Sequence, residues 1–407
     1  MKLISITAAA VTAALLFSGC GSQVPAPTEF IPAVTSTPET RAPETEPAAH
    51  NEADLLATMS LREKVGQLFV VRPDALNLSL PFETLDNSLI EGETVLSDSM
   101  AEALRSYPVG GFIHFQKNIV TPEQITKFNH SLTEAVTIPP FLAADEEGGL
   151  VARLANSPAF TVPKFDSTAK VGQRGRDAAQ EMGWIIGNYL TEYGFNMDFA
   201  PVADVNTNPY NKVIGNRAFS SDPRQAALCA RAMADGLRRS GIIPVFKHFP
   251  GHGDTAEDSH QQLAVSRKSR EDLLNCEWLP FQQAEARECI MVGHIALPEL
   301  TGDMTPASFS SVIVTDTLKG DLQYEGLVIT DSLSMGAVIR QYNAREAALN
   351  ALWAGCDILL MPASLTEAFD GIVEAVEDGS FPEDRLDQIV LRILKTKIDY
   401  HILNTES

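Results

Sequence analysis

Eight short apolar runs, each followed by a stretch with helical spacing, divide the chain from Ala53 onward. The runs are Gln67 to Arg72, Val109 to Phe115, Pro140 to Asp145, Phe195 to Val205, Ile242 to His248, Cys289 to Ala296, Leu327 to Asp331 and Asp357 to Met361. Apolar strands that alternate with helices belong to parallel sheets, and eight of them are enough to close a (β/α)8 barrel of the TIM type. The helical stretches agree: Leu386, Ile389, Val390, Ile393 and Leu394 recur at the spacing that lays one apolar stripe against a sheet. A doubly wound open sheet accommodates the same alternation and is the alternative fold. The stretch from Pro73 to Tyr107 is longer and more polar than a βα connection needs, so it is expected to be an insertion at the barrel rim.

Composition narrows the function. The chain has 407 residues, 44% hydrophobic and 21% charged, which is enough for one large core or two smaller ones. A net charge of −22 excludes a nucleic-acid partner, because phosphate binding needs clustered Lys and Arg.

The N-terminus carries Lys2, an apolar run from Leu3 to Phe17, and then Ser18-Gly19-Cys20. That run is too short to span a bilayer and reads as an export signal over residues 1–20. The small residues ahead of Cys20 resemble the lipobox at which bacterial lipoproteins are cleaved and lipidated. An ordinary secreted protein is the alternative. A lipid anchor at Cys20 on the outer face of the cell membrane is therefore expected, with release to the extracellular space as a variant. Residues 21–52, with Pro25, Pro27, Pro32, Pro38, Pro43 and Pro47 among Thr, Glu and Ala, cannot bury a core and are expected to form a tether. The folded domain is assigned to residues 53–407. Cys229, Cys276, Cys289 and Cys356 show no ligand-like spacing and are expected to be buried free thiols.

In a barrel the chemistry sits at the carboxyl ends of the strands. Asp145, Glu146 and Glu147 follow the third run, Asp204 the fourth, His294 the sixth and Asp331 the seventh. After the fifth comes Lys247 to His260, KHFPGHGDTAEDSH, with three of the chain's eight histidines. Pro250, Gly251 and Gly253 make this segment a loop. A metal site built on His248 and His252 is disfavoured, since the intervening Phe249-Pro250-Gly251 prevents the helix that would align them. Asp258 and His260, two apart in an extended segment, face the same way, so the carboxylate can orient the imidazole for proton transfer. Asp331 is positioned to attack or to stabilise positive charge, and a helix N-cap is its plainer role. A nucleophile or charge stabiliser together with a proton donor is what glycoside cleavage needs.

KHFPGHGDTAEDSH closely resembles the signature loop of bacterial exo-β-N-acetylglucosaminidases in family 3 of the glycoside hydrolases. VGGFIHFQKNI, ADEEGGLVARL, NMDFAPVADVN, NKVIGNRAFSSDP and VITDSLSMGA resemble the family's other blocks in the family's order, so the likeness runs from Ala53 to Leu403. The resemblance implies a retaining mechanism with Asp331 as nucleophile and His260, oriented by Asp258, as acid and then base. It implies sugar contacts from Asp145, Arg153, Arg217, Lys247 and His248, with Asp204, Asp254 and His294 behind them. Arg153 is expected two turns into the helix after the third strand, where a salt bridge is the competing role.

The DSH triplet favours N-acetylglucosaminidase over the β-glucosidases, xylosidases and phosphorylases of related sequence. A non-catalytic sugar-binding lipoprotein is the remaining alternative. The expected substrate is a terminal β-N-acetylglucosaminide of a muropeptide or chito-oligosaccharide, with no metal and no cofactor. Leu150 stands where the family commonly has Arg, and the chain stops soon after the eighth strand and its helix, so a single catalytic domain is expected.

Overall fold

The computed structural model describes residues 51–85, 87, 89–255 and 263–404. Eight parallel strands make the central sheet: β1 (Phe69–Val71), β2 (Gly111–His114), β3 (Phe141–Ala144), β4 (Met197–Asp198), β5 (Ile243–Phe249), β6 (Cys289–Val292), β7 (Leu327–Thr330) and β8 (Leu359–Leu360). They run in the order β7-β6-β5-β4-β3-β2-β1-β8, and a parallel bridge between Ile329 and Ile358 joins the two ends. The sheet is a (β/α)8 barrel, with its helices outside.

Every expected run holds a strand, one of which, β5, runs one residue past its run to Phe249, and most strands are shorter than their runs. The largest difference is at Phe195 to Val205, where only Met197–Asp198 pairs on both sides. Beyond it Val202 makes a single bridge to Lys247, and Asp204 turns to accept from the backbone of β5 and its following loop. The Cys289 to Ala296 run also splits. Ile295–Ala296 leaves the barrel to pair with Ala264–Val265.

Helices start where their sequences allow. Thr121 and Asp222 cap Pro122–Glu134 and Pro223–Arg239, each accepting from a backbone N–H of the first turn, and proline opens both helices where no N–H is needed. The expected stripe Leu386, Ile389, Val390, Ile393 and Leu394 is buried along Glu383–Asp399, and each such side chain contributes roughly 2 kcal/mol of transfer free energy.

The stretch after β1 corrects the sequence expectation. Its last part, Asp98–Ser106, is the barrel helix between β1 and β2, so only residues 73–97 form the added segment. Asp74 pins it, accepting from Asn118 Nδ2 at 2.7 Å and from Glu93 N at 3.2 Å and pairing with Lys117 at 3.2 Å. Cys229, Cys289 and Cys356 are buried free thiols, whereas Cys276 is only half-buried. Among the described residues no helix is long and apolar enough to cross a membrane.

Candidate active site

One cavity of about 480 Å³ opens at the carboxyl ends of the strands. Ile113, Phe199, Met291 and Leu360 line it from inside the barrel, and its walls carry Asp145, Glu147, Arg153, Arg217, Lys247, His248, His252 and Asp331. All five side chains expected to touch sugar, together with Asp331, therefore converge on one place. Asp258 and His260 lie outside the described residues, as does Cys20.

Lys247, on β5, is the centre of the charge arrangement. Its ammonium sits 2.8 Å from Asp145 Oδ1 and 2.6 Å from Glu147 Oε1. Asp145 Oδ2 accepts from Arg153 Nη2 at 2.8 Å. Glu147 is held by Arg217 through a two-bond fork, Nε to Oε2 at 2.8 Å and Nη2 to Oε1 at 2.7 Å. Burial alone would push both carboxyls up. The cations outweigh it, holding Asp145 far below the usual carboxylate range and Glu147 at about 2. Burial would likewise lower Lys247, but Asp145 and Glu147 raise it above the ordinary lysine value, so it stays an ammonium.

Glu147 was not among the expected contact residues. The signal was available, because period-two alternation along an extended segment turns Asp145 and Glu147 to the same side and Glu146 to the other. Glu146 indeed faces away. It accepts from Leu154 N and Ala155 N at 2.9 Å and from the Tyr189 hydroxyl at 2.8 Å, and burial raises its pKa.

Arg153 is also placed by a different element from the one expected. A tight hairpin, Glu146–Gly148 paired with Val151–Ala152, follows β3, and no helix begins before Thr168. Gly148 and Gly149 turn it with φ of 83° and 67°, conformations that glycine adopts without a Cβ clash. The hairpin returns Arg153 over the Phe115 ring, 4.9 Å from its centroid. A helix would have directed it elsewhere.

Asp204 organises the next layer. Its Oδ2 lies 2.8 Å from His248 Nδ1, and since a carboxylate accepts, Nδ1 carries the proton and Nε2 is left for a ligand. Oδ1 accepts from His252 N at 2.6 Å. His252 Nδ1 lies 2.7 Å from the Thr255 hydroxyl, and burial lowers its pKa, so the ring is neutral. His294 Nε2 donates to the Ser332 carbonyl at 2.9 Å, while its Nδ1 meets Ser308 Oγ at 2.7 Å. Asp254 is turned outward, accepting from the Thr207 hydroxyl at 3.0 Å and pairing with Lys268 at 3.4 Å.

Asp331 follows β7 and does not cap a helix. The next helix, Gly336–Ile339, starts after Met335, and Asp331 Oδ1 accepts from Ser332 N at 2.7 Å. Its carboxylate faces a cavity whose cations and acids nearly balance among the described residues: Arg72, Arg153, Arg217 and Lys247 against Asp145, Glu147 and Asp331. A wall of fixed donors and acceptors with little net charge suits a neutral polyhydroxylated ligand.

The model of the glycosyl hydrolase family 3 N-terminal domain matches residues 60–396. The chain belongs to glycoside hydrolase family 3. Among curated relatives of this family 3 chain, "Beta-hexosaminidase A" of Pseudoalteromonas piscicida is 31% identical over 335 residues, covering 75% of this chain and 56% of that protein. "Beta-hexosaminidase LpqI" of Mycobacterium tuberculosis is 34% identical over 332 residues, covering 78% and 82%. Among solved structures, a family 3 β-N-acetylglucosaminidase from a Paenibacillus species superposes with a TM-score of 0.77 at 33% identity, over 85% of this chain and 63% of that one. The M. tuberculosis LpqI structure gives 0.71 at 30%, over 86% and 96%. The chain thus spans little more than half of the Pseudoalteromonas relative and nearly all of the solved LpqI chain.

Proposed function

We propose that this family 3 enzyme is a retaining exo-hydrolase that removes terminal non-reducing β-N-acetylglucosamine from cell-wall muropeptides or chito-oligosaccharides. The observation that carries the reading is the gathering of Asp331 and the Asp145–Lys247–Glu147–Arg217 network around one cavity with a barrel-core floor. Such a pocket admits one sugar end and holds its hydroxyls with charged donors and acceptors. The names of the relatives, β-hexosaminidase and β-N-acetylglucosaminidase, support the sugar identity.

In the first step the Asp331 carboxylate attacks the anomeric carbon. The glycosidic C–O bond breaks, and the departing oxygen takes a proton from His260, oriented by Asp258. In the second, His260 takes a proton from water, the water oxygen attacks the same carbon, and Asp331 is released. Lys247, Arg153, Arg217, Asp145 and His248 hold the sugar throughout. The segment from Met1 to Cys20 and the proline-rich stretch after it support lipid anchoring outside the cell membrane, which loss of fatty-acid labelling in Cys20→Ala would test.

The deciding assay is cleavage of a nitrophenyl β-N-acetylglucosaminide, with and without phosphate, beside a muropeptide and chitobiose. Expected are release of N-acetylglucosamine with retained anomeric configuration, no sugar phosphate, and loss of activity in Asp331→Ala. For His260→Ala, kcat/KM is expected to fall far more for poor leaving groups than for activated ones. No turnover by the wild-type protein refutes the reading.

A further inference from the structure

A buried amide behind the cavity wall is one of the contacts that join the loops after β4 and β5. Asn211 is 5% exposed, and its side chain makes three hydrogen bonds. Oδ1 accepts from Val213 N at 2.9 Å and from Ile214 N at 2.8 Å, which folds the chain into a side-chain-closed turn. That turn presents the Val213 carbonyl, which accepts from Arg217 Nη1 at 2.9 Å. On the other side Asn211 Nδ2 donates to the His252 carbonyl at 2.7 Å. The amide therefore touches both the arm that aims Arg217 and the strip that carries His252.

Neighbouring contacts show that the two loops meet as one surface. Asn208 N donates to the Gly253 carbonyl at 3.2 Å, and Asn208 Nδ2 reaches the carbonyls of Asp254 and Thr255 at 3.3 Å each. A Cβ on Gly253 would stand 1.9 Å from the Val205 carbonyl oxygen, so the two backbones are in direct contact. Asn211 differs from these surrounding contacts in one respect. Asn208 is half-buried and its oxygen accepts from Tyr210 N at 3.0 Å. Asn211 is buried and its oxygen accepts from Val213 N and Ile214 N, the turn whose carbonyl holds Arg217, while its nitrogen binds the His252 carbonyl, so its two halves can be altered separately.

We propose that Asn211 is a positioning residue: it fixes the register between the Arg217 arm, which holds sugar, and the His252–Thr255 strip, which leads in sequence to Asp258 and His260. The inference rests on the acid/base role proposed above for His260. Asn211 touches no substrate and acts through the segments it joins. Holding them together fixes the arm that aims Arg217 against the strip from which the chain continues to the proton donor, and proton transfer is sensitive to small misplacements.

Asn211→Asp keeps the shape and the acceptor oxygen and, when ionised, sets an oxygen against the His252 carbonyl in place of the donor, and Asn211→Ser keeps the local turn but cannot reach His252. Both are measured beside His260→Ala, against glycosides with leaving groups from dinitrophenyl to methyl. Expected for both Asn211 variants is a fall of about tenfold in kcat/KM for poor leaving groups and less than about threefold for dinitrophenyl, with KM near wild type and a modest fall in thermal midpoint. Azide should raise turnover of the dinitrophenyl substrate, because an anionic nucleophile needs no base.

Wild-type leaving-group dependence in both variants overturns the proposal. So does an equal loss on all substrates accompanied by a lower thermal midpoint, since that describes a purely structural residue. If His260→Ala itself shows no leaving-group dependence, the acid assignment fails and this inference falls with it. No cleavage by the wild type refutes the function as a whole. The four results are distinguishable.

Discussion

Replacing Glu147 by Gln tests the charge arrangement on which the cavity rests. The Glu147 carboxylate is 1% exposed, 2.6 Å from the Lys247 ammonium and forked with Arg217. Burial alone would push it up, and the two cations instead hold it at about 2, against 4.5 for a free glutamate. A carboxyl depressed in the folded state stabilises the fold above its unfolded pKa, and that contribution is lost as pH falls through the folded value.

At about 1.4 kcal/mol per pKa unit, the drop from 4.5 to about 2 amounts to roughly 3 kcal/mol at neutral pH. Glutamine keeps the shape and removes the charge. The unfolding free energy of Glu147→Gln should therefore lie about 3 kcal/mol below wild type at pH 7, and the gap should shrink to about 2 kcal/mol by pH 3.5. Urea unfolding followed by tryptophan fluorescence, to which the fully buried Trp278 contributes, reads both values. A gap under about 1 kcal/mol at pH 7, or one that stays constant down to pH 3.5, would refute the reasoning.

Two other residues give independent checks. Lys397 is buried with no carboxylate partner among the described residues, donating to Gln67 Oε1 at 2.7 Å and the Gly110 carbonyl at 3.0 Å, and burial lowers its pKa to about 7. Its folded value lies below its unfolded one, so the unfolded chain binds more protons between them. Wild-type stability should gain a rising component between pH 7 and 10.5 that Lys397→Met lacks, and equal pH slopes for the two proteins would contradict this. At Gly253 an added Cβ meets the Val205 carbonyl oxygen, so Gly253→Ala must push the two loops apart. A shift of about 1 Å there is expected to cost roughly a hundredfold in kcat/KM, and near-normal activity would show that the loop contact does not matter.

Much of the fold is written locally, and that is why it was legible. Apolar runs such as Ile242 to His248 are buried on both faces, and the stripe along Glu383–Asp399 needs only period 3.6 to declare itself. Strand ends were less legible. Phe195 to Val205 is apolar almost throughout, but Asp204 is drawn to His248 and His252, and the ladder stops after Asp198. The helix expected around Arg153 failed for a local reason that the sequence did carry. Gly148-Gly149 turns the chain back into a hairpin.

By itself the sequence determined the alternation of eight strands with helices, and therefore that residues following the strands would share one end of a barrel. Asp145, Lys247 and Asp331 could be named on that ground alone. Period-two alternation could have sorted Asp145 and Glu147 from Glu146, but only the tertiary structure decided in what charge state they serve the cavity. The cations that settle it, Arg217 and Lys247, lie 70 and 102 residues away from the carboxylates they bind. Composition and spacing report what a segment can bury. The ionisation of a buried carboxyl depends on a balance between desolvation and charges brought to it by the fold, and that balance exists only once distant segments are in contact.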